Sequence, residues 1–315
     1  MTLGVLHYPH FYLRRRTREL KFCFNTLGYT VNIKLIRVIS NYSKLSVLLL
    51  LAYASITLAA EYSAVVPLKK VAEEFNDAGA QFLLGQMYEY GQSVRQDKQA
   101  AAKWYQKAVS QNHEQAQYFL GRMYLYGDGV DKNIDSAIDL LGKAAKENEN
   151  ASFELGNIYS GGEYGKKDYS KALVYYEQAA RMRHAAARLN LARMYRNGWG
   201  VKLDLKKWMH FLTRAAEAND KEAQYELALA YHNGLSVKKN YPLAVRWYTL
   251  SAAQAYHKAE YALGMLYAKG MEIDPDYQKA LAYLSRARDG GIEPARQQIE
   301  WLRDAQKNAI GTLVE

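Results

Sequence analysis

The chain has 315 residues, of which 49% are hydrophobic and 23% charged, enough apolar material for a sizeable core and too much for a wholly disordered protein. Its net charge of +10 is unevenly placed, because residues 1–60 carry +7 and the other 255 residues only +3. The basic excess that marks nucleic-acid binders is therefore absent from the main body, and no nucleic-acid partner is expected. The single cysteine, Cys23, also lies in the leading part, which excludes thiol catalysis, zinc-thiolate sites and disulfides from the rest.

Within the leader (1–60), residues 45–60 read LSVLLLLAYASITLAA, an uncharged run of sixteen residues behind Arg37 and Lys44. A membrane-crossing helix needs about 20 apolar residues, so this run reads as the h-region of a secretory signal, cleaved after Ala59 or Ala60. That places the protein in the periplasm or outside the cell, with no integral membrane span left after cleavage. The 44 residues ahead of the run are too many for an n-region, which is explained if translation starts downstream, for example at Val38. The alternatives are an Arg-rich organelle transit segment, an uncleaved membrane anchor, or a cytoplasmic protein.

Residues 61–79 are expected to hold an N-terminal capping helix, since Ala72 and Asn76 stand one period before Ala108 and Asn112. From 80 to 294 the chain repeats itself. A small residue recurs at Gly85, Gly121, Gly156, Ala192, Ala228 and Gly264, in steps of 36, 35, 36, 36 and 36. Every copy has Ala five residues before it, Leu one before, Tyr three after and Gly six after. Ala, Leu, the small residue and Tyr share one helix face, and the Gly is a left-handed C-cap. A second helix follows in each copy, opened by an N-capping side chain at Asp97, Asn133, Asp168, Asp204, Asn240 or Asp276. The third copy departs from the pattern, with Gly165 where the others carry Val or Ile. At 295–315, Ala295 keeps the period while Glu300 and Arg303 replace the small residue and the Tyr, as the exposed face of a C-terminal capping helix requires.

The segments AQFLLGQMYEYGQSVRQDKQAAAKWYQKAV (80–109) and AQYFLGRMYLYGDGVDKNIDSAIDLLGKAA (116–145) resemble Sel1-like repeats, relatives of tetratricopeptide repeats with a slightly longer period. The resemblance implies an all-α fold, a right-handed α-solenoid of six helix-turn-helix repeats between capping helices. It also implies a non-catalytic adaptor that binds another protein along a concave surface, and many bacterial members are exported. Some disulfide-linked relatives are associated with β-lactam binding or hydrolysis. Those carry paired cysteines in each repeat, and this chain has none there. A cell-wall or β-lactam-processing enzyme and a cytoplasmic regulatory adaptor remain the alternative functions.

No residue is nominated as catalytic, cofactor-binding or metal-ligating. The loop GDGVDKNID (127–135) lacks both the Lys-Ser/Thr of a phosphate loop and the acidic ladder of a calcium loop. The histidines show no ligand spacing, and His113 and His184 share one position between repeats, which suits a cap or loop role. The expectation is thus no enzyme and no cofactor. Partner specificity is assigned to the position after each small residue: Gln86, Arg122, Asn157, Arg193, Leu229 and Met265. Between Arg181 and Lys207 there are eight Lys or Arg against one acid, Asp204. This stretch is either a solvated face or a docking patch for an acidic partner. The candidate contact residues are Arg122, Tyr126, Arg188, Arg193 and Arg196.

Overall fold

A computed structural model describes residues 22–23, 30–31, 65–162, 164, 166–271 and 273–311, with side chains of the last helix described as far as residue 306. The leader with its 45–60 run therefore lies outside the described residues, as do Gly165 and the last four residues. The chain divides into two units, Met1–Pro67 and Leu68–Glu315. In the first, Phe22–Cys23 (β1) and Thr30–Val31 (β2) pair antiparallel, with Phe22 opposite Val31. The second is an all-α solenoid.

The first helices of the six repeats are Ala78–Tyr90 (α2), Glu114–Tyr126 (α4), Glu149–Gly161 (α6), Ala185–Asn197 (α8), Lys221–Asn233 (α10) and His257–Lys269 (α12). Their second helices are Lys98–Val109 (α3), Ile134–Ala144 (α5), Tyr169–Arg181 (α7), Leu205–Glu217 (α9), Tyr241–Ala253 (α11) and Tyr277–Asp289 (α13). Residues 65–74 form helix α1 ahead of them, and Pro294–Gly311 (α14) follows. Each helix packs on the next along the chain, and α6 also touches α8, so first helices meet one another across the stack.

Both kinds of helix start where capping chemistry dictates. All six second helices open on the expected Asp or Asn, whose side-chain oxygen accepts a backbone N–H of the first turn. The first helices are capped by Asp77, His113, Asn148, His184 and Asp220, while Tyr256 in the sixth makes no side-chain cap bond. All six first helices end on a left-handed glycine, Gly162 of the third repeat included, with φ between 64° and 74°. The 35-residue step falls in the turn after α5. Its counterparts each contain a left-handed residue, at Asn76, Asn112, Arg183, Asn219, Ala255 and Gly291, and this shortened turn contains none.

The repeated Leu residues are 0–1% exposed, and so are Tyr105, Leu141, Leu212, Tyr248 and Leu284 on the second helices. Burying each such side chain contributes about 1.5–3 kcal/mol. In three repeats the repeated Tyr stacks on the first residue of the bulky pair, Tyr159 on Tyr175, Tyr195 on Phe211 and Tyr267 on Tyr283, with ring planes within 4°. A feature absent from the expectation is a polar residue one place after the repeated Ala, buried at Gln81, Gln117, Ser152, Gln224 and Glu260. Gln81 donates to the Ala72 carbonyl, Ser152 to Ala145 and Gln224 to Ala216, so this side chain ties the start of one repeat to the end of the helix before it. In α14, Ala295, Ile299 and Leu302 close the core against α13, while Glu300 and Arg303 face solvent as a terminal cap requires.

The histidine caps make folding pH-dependent. His113 and His184 accept the N–H of Ala116 and Ala187 through Nδ1, which requires the neutral ring. Burial lowers the pKa of both below the ordinary 6.5, against smaller upward pulls from Asp77 at the first and from Glu149 and Asp220 at the second. The unfolded chain therefore takes the proton first, and the caps' contribution is full above about pH 6.5 and lost as pH falls below it. One cap is worth about 1 kcal/mol, or about 2–4 °C of melting temperature at this size. Thermal melts from pH 7.5 to 5.5 are expected to show that loss, and His113→Asn with His184→Asn, copying the cap at Asn148, is expected to flatten it.

Candidate functional site

On the first helices the Ala, Leu and Tyr positions are consumed by the core, which leaves one stripe: the residue two before the small residue, and those one and five after it. In chain order the stripe begins with Leu83, Gln86 and Tyr90, continues through Phe119, Arg122 and Tyr126, and becomes polar at Glu154, Asn157, Asn190, Arg193 and Glu226. It turns apolar again at Leu229, Ala262 and Met265.

The stripe follows a rule that single-copy reading does not show. From the second repeat on, the residue after one small residue faces the residue two before the next one, and the two are chemically matched. Asn190 donates to Asn157 at 3.5 Å, and Arg193 binds Glu226 through Nε at 2.9 Å. Arg122 lies in the field of Glu154. Leu229 and Ala262, the next pair along, both pack against the same apolar cluster. The position assigned to partner specificity is thus largely spent on holding neighbouring repeats in register.

Each candidate contact residue has a definite place. Arg193 is half-buried and reaches Glu222 as well, at 2.6 Å. Burial alone would lower its pKa, and the hydrogen bonds and charges of Glu226 and Glu222 offset this and hold it above its ordinary value. It is therefore a clamp between repeats rather than a solvated cation. Arg188 donates weakly to the Arg214 and Ala180 carbonyls, at 3.4 and 3.5 Å, at the C-terminal ends of α9 and α7. Burial, with Arg214 and Arg183 nearby, pulls its pKa down. Arg196 is exposed and lies over the Trp208 ring, 5.3 Å from its centroid. Arg122 sits between the Tyr118 and Tyr126 rings, at 5.7 and 5.8 Å. Tyr126 itself is 53% exposed. Its hydroxyl reaches Glu154 at 3.3 Å, and its pKa is pushed up to about 12, chiefly by burial and then by the Glu154 charge.

No nucleophile and base are brought together along this stripe. The Ser160 hydroxyl meets the Tyr176 hydroxyl at 2.8 Å, which in turn donates to Asn157, a chain of neutral groups. Of the other described histidines, His257 pairs with Glu260 and His232 lies 3.4 Å from Tyr248. Two open grooves lie elsewhere, on second helices, one of about 760 Å³ beside α9 and one of about 680 Å³ beside α5. Among the described residues no three His, Cys, Asp or Glu converge as a metal site, and no helix is long and apolar enough to cross a membrane.

The stacked helix pairs with their polar stripe define a repeat α-solenoid. The chain belongs to the Sel1 repeat family, whose repeat model matches residues 78–113, 114–149, 150–184, 185–220, 221–256 and 257–292. Proteins of this family are generally protein-interaction modules, and the fold is typically a non-catalytic scaffold. Among solved structures, the chain is similar to a protective antigen of uropathogenic Escherichia coli displaying an SLR fold, with 30% identity and a TM-score of 0.68. That match covers 75% of this chain and 51% of the antigen, so the chain spans about half of the antigen's length. It is also similar to a Sel1 repeat protein from Oxalobacter formigenes, at 34% identity and a TM-score of 0.64, over 69% of this chain and 89% of the other. A comparison with curated proteins finds no match.

Proposed function

We propose that this chain is an exported, non-catalytic adaptor that holds another protein against the first-helix stripe of its N-terminal repeats. The observation that carries this reading is the exposure of Leu83, Tyr90 and Tyr126 there, at 48, 52 and 53%. The fold does not ask for aromatics five residues after the small residue, because the other four repeats place Gly161, Asn197, Asn233 and Lys269 at that point. Exposed tyrosines on a rigid face are favoured protein contacts, since they bury much area at little entropic cost.

A photo-crosslinker at Tyr90 or Tyr126 is expected to trap one and the same polypeptide from the native source, and a crosslinker at Lys103 on α3 is not. Equal trapping at Lys103 would remove the proposal. Export is supported by the leader, with its apolar run behind Arg37 and Lys44, and by similarity to a protein that serves as a protective antigen. Sequencing the N-terminus of the native protein is expected to read from Ala60 or Glu61. A start at residue 38 or earlier would refute cleavage.

A further inference from the structure

The repeats act as their own controls, since whatever one copy shows and the others lack is not demanded by the fold. On this test the sharpest departure lies at the connections between first and second helices in the fourth and fifth repeats. The residue after the capping glycine is Gln92 or Asp128 in the first two repeats, and Trp199 and Leu235 in these. The residue before the second-helix cap is Gln96 or Lys132 in the first two, and Leu203 in the fourth. Trp199, Leu203 and Leu235 are 42, 55 and 40% exposed, and Leu205, which opens α9, is 43% exposed.

These turns form one edge. The turn of each repeat lies over the start of the second helix in the repeat before. A Cβ at Gly129 would stand 2.5 Å from the Lys98 backbone, and one at Gly200 would stand 2.7 Å from that of Tyr169. Trp199 accordingly stacks on Tyr169 at 5.6 Å, and Ser236 lines the same groove as Leu205 and Lys206. The charges along this edge are nearly all positive. Lys202, Lys206 and Lys238 are exposed and make no ion pair among the described residues, unlike Lys98 with Asp128 or Lys166 with Asp135 in earlier turns. Between 196–207 and 234–240 the one acid is Asp204, whose carboxylate caps α9.

Protruding Trp and Leu on turns, flanked by unpaired lysines, match the interfacial layer of an anionic bilayer, where indole and leucine enter the headgroup boundary and ammonium groups meet phosphate. We propose that this edge docks on an anionic phospholipid surface, independently of the protein-binding stripe on the first helices. It leaves that stripe open, so the scaffold would present its partner at a membrane without spanning it.

The test uses the full chain with Cys23→Ser and an environment-sensitive fluorophore on a cysteine placed either at Leu235 or at the equivalent Gln92. Both labelled proteins share the leader, so binding through the leader does not distinguish them. With phosphatidylglycerol-containing vesicles the label at 235 is expected to shift to the blue and to be quenched from within the bilayer. The label at 92 is expected to stay in water, and phosphatidylcholine vesicles to have no effect. One lysine near such a surface is worth about fivefold in partitioning, so Lys202→Glu, Lys206→Glu and Lys238→Glu together are expected to lower it by about 100-fold with helicity unchanged. If that variant loses helicity, the corresponding Gln triple is used. No shift at 235, equal shifts at 92 and 235, or binding that survives the lysine changes overturns the proposal. A shift produced by an acidic amphipathic peptide but not by vesicles also overturns it, and assigns the edge to a protein.

Discussion

Replacing Gly156 with valine is expected to cost about 3 kcal/mol, the upper end of the overpacking range, read as a lowered midpoint in urea. A Cβ at this position would lie 2.5 Å from Cδ1 and Cε1 of Tyr176. That ring is 2% exposed and its hydroxyl is held by Ser160 and Asn157, so it has nowhere to retreat. Gly85 meets Tyr105 in the same way, at 2.4 Å. Alanine stands at this position in two other repeats, at Ala192 and Ala228. Gly156→Ala is therefore expected to lose less, because about 1 kcal/mol of helix propensity is regained. A Gly156→Val protein as stable as the parent would show that the two helices are not this close.

The second large effect lies at Arg193. Replacing it with Ala leaves Glu226, whose side chain is 16% exposed, with its counter-charge gone, and Glu222 beside it. Breaking a fully buried pair costs about 3–5 kcal/mol. The partial exposure of Arg193 and Glu222 screens this one, and about 2 kcal/mol is expected. Arg193→Glu, which puts three carboxylates together, is expected to be worse. The combination Arg193→Leu with Glu226→Ala copies the Leu229–Ala262 pair of the next step and is expected to recover most of the loss, giving a clear coupling in a double-mutant cycle. Should Arg193→Ala leave stability untouched, the clamp is not formed in solution. Charge reversal at Arg193 therefore reports on the scaffold before it reports on any partner.

The helix pairs, their caps and the core were legible in the sequence because each repeat obeys the same local rules six times over. Leu120, Gly121 and Tyr124 have one packing duty, and so do their counterparts. The site was less legible because its chemistry lies between copies. Arg193 and Glu226 are 33 residues apart, and neither is unusual within its own helix. The signal becomes visible when the position after one small residue is read against the position two before the next. The buried polar residue after the repeated Ala had a plainer signal, being polar in all six copies, at Gln81, Gln117, Ser152, Arg188, Gln224 and Glu260. The turn edge at Trp199 and Leu235 has no periodic signal, because its apolar residues stand in turns and are interleaved with Lys202, Lys206 and Lys238.

That buried polar residue also decides where one repeat can be exchanged for another. Gln254, at the end of the fifth repeat, donates to the backbone and side chain of Asn219 and to Gln224, which itself reaches back to Ala216. A graft cut at the start of α10 would part Gln224 from Ala216 and Gln254 from Asn219. A module running from the last turn of one second helix to the last turn of the next keeps the Gln224–Ala216 bond inside it, so chimeras joined within a second helix are expected to be more stable than those joined at a repeat boundary.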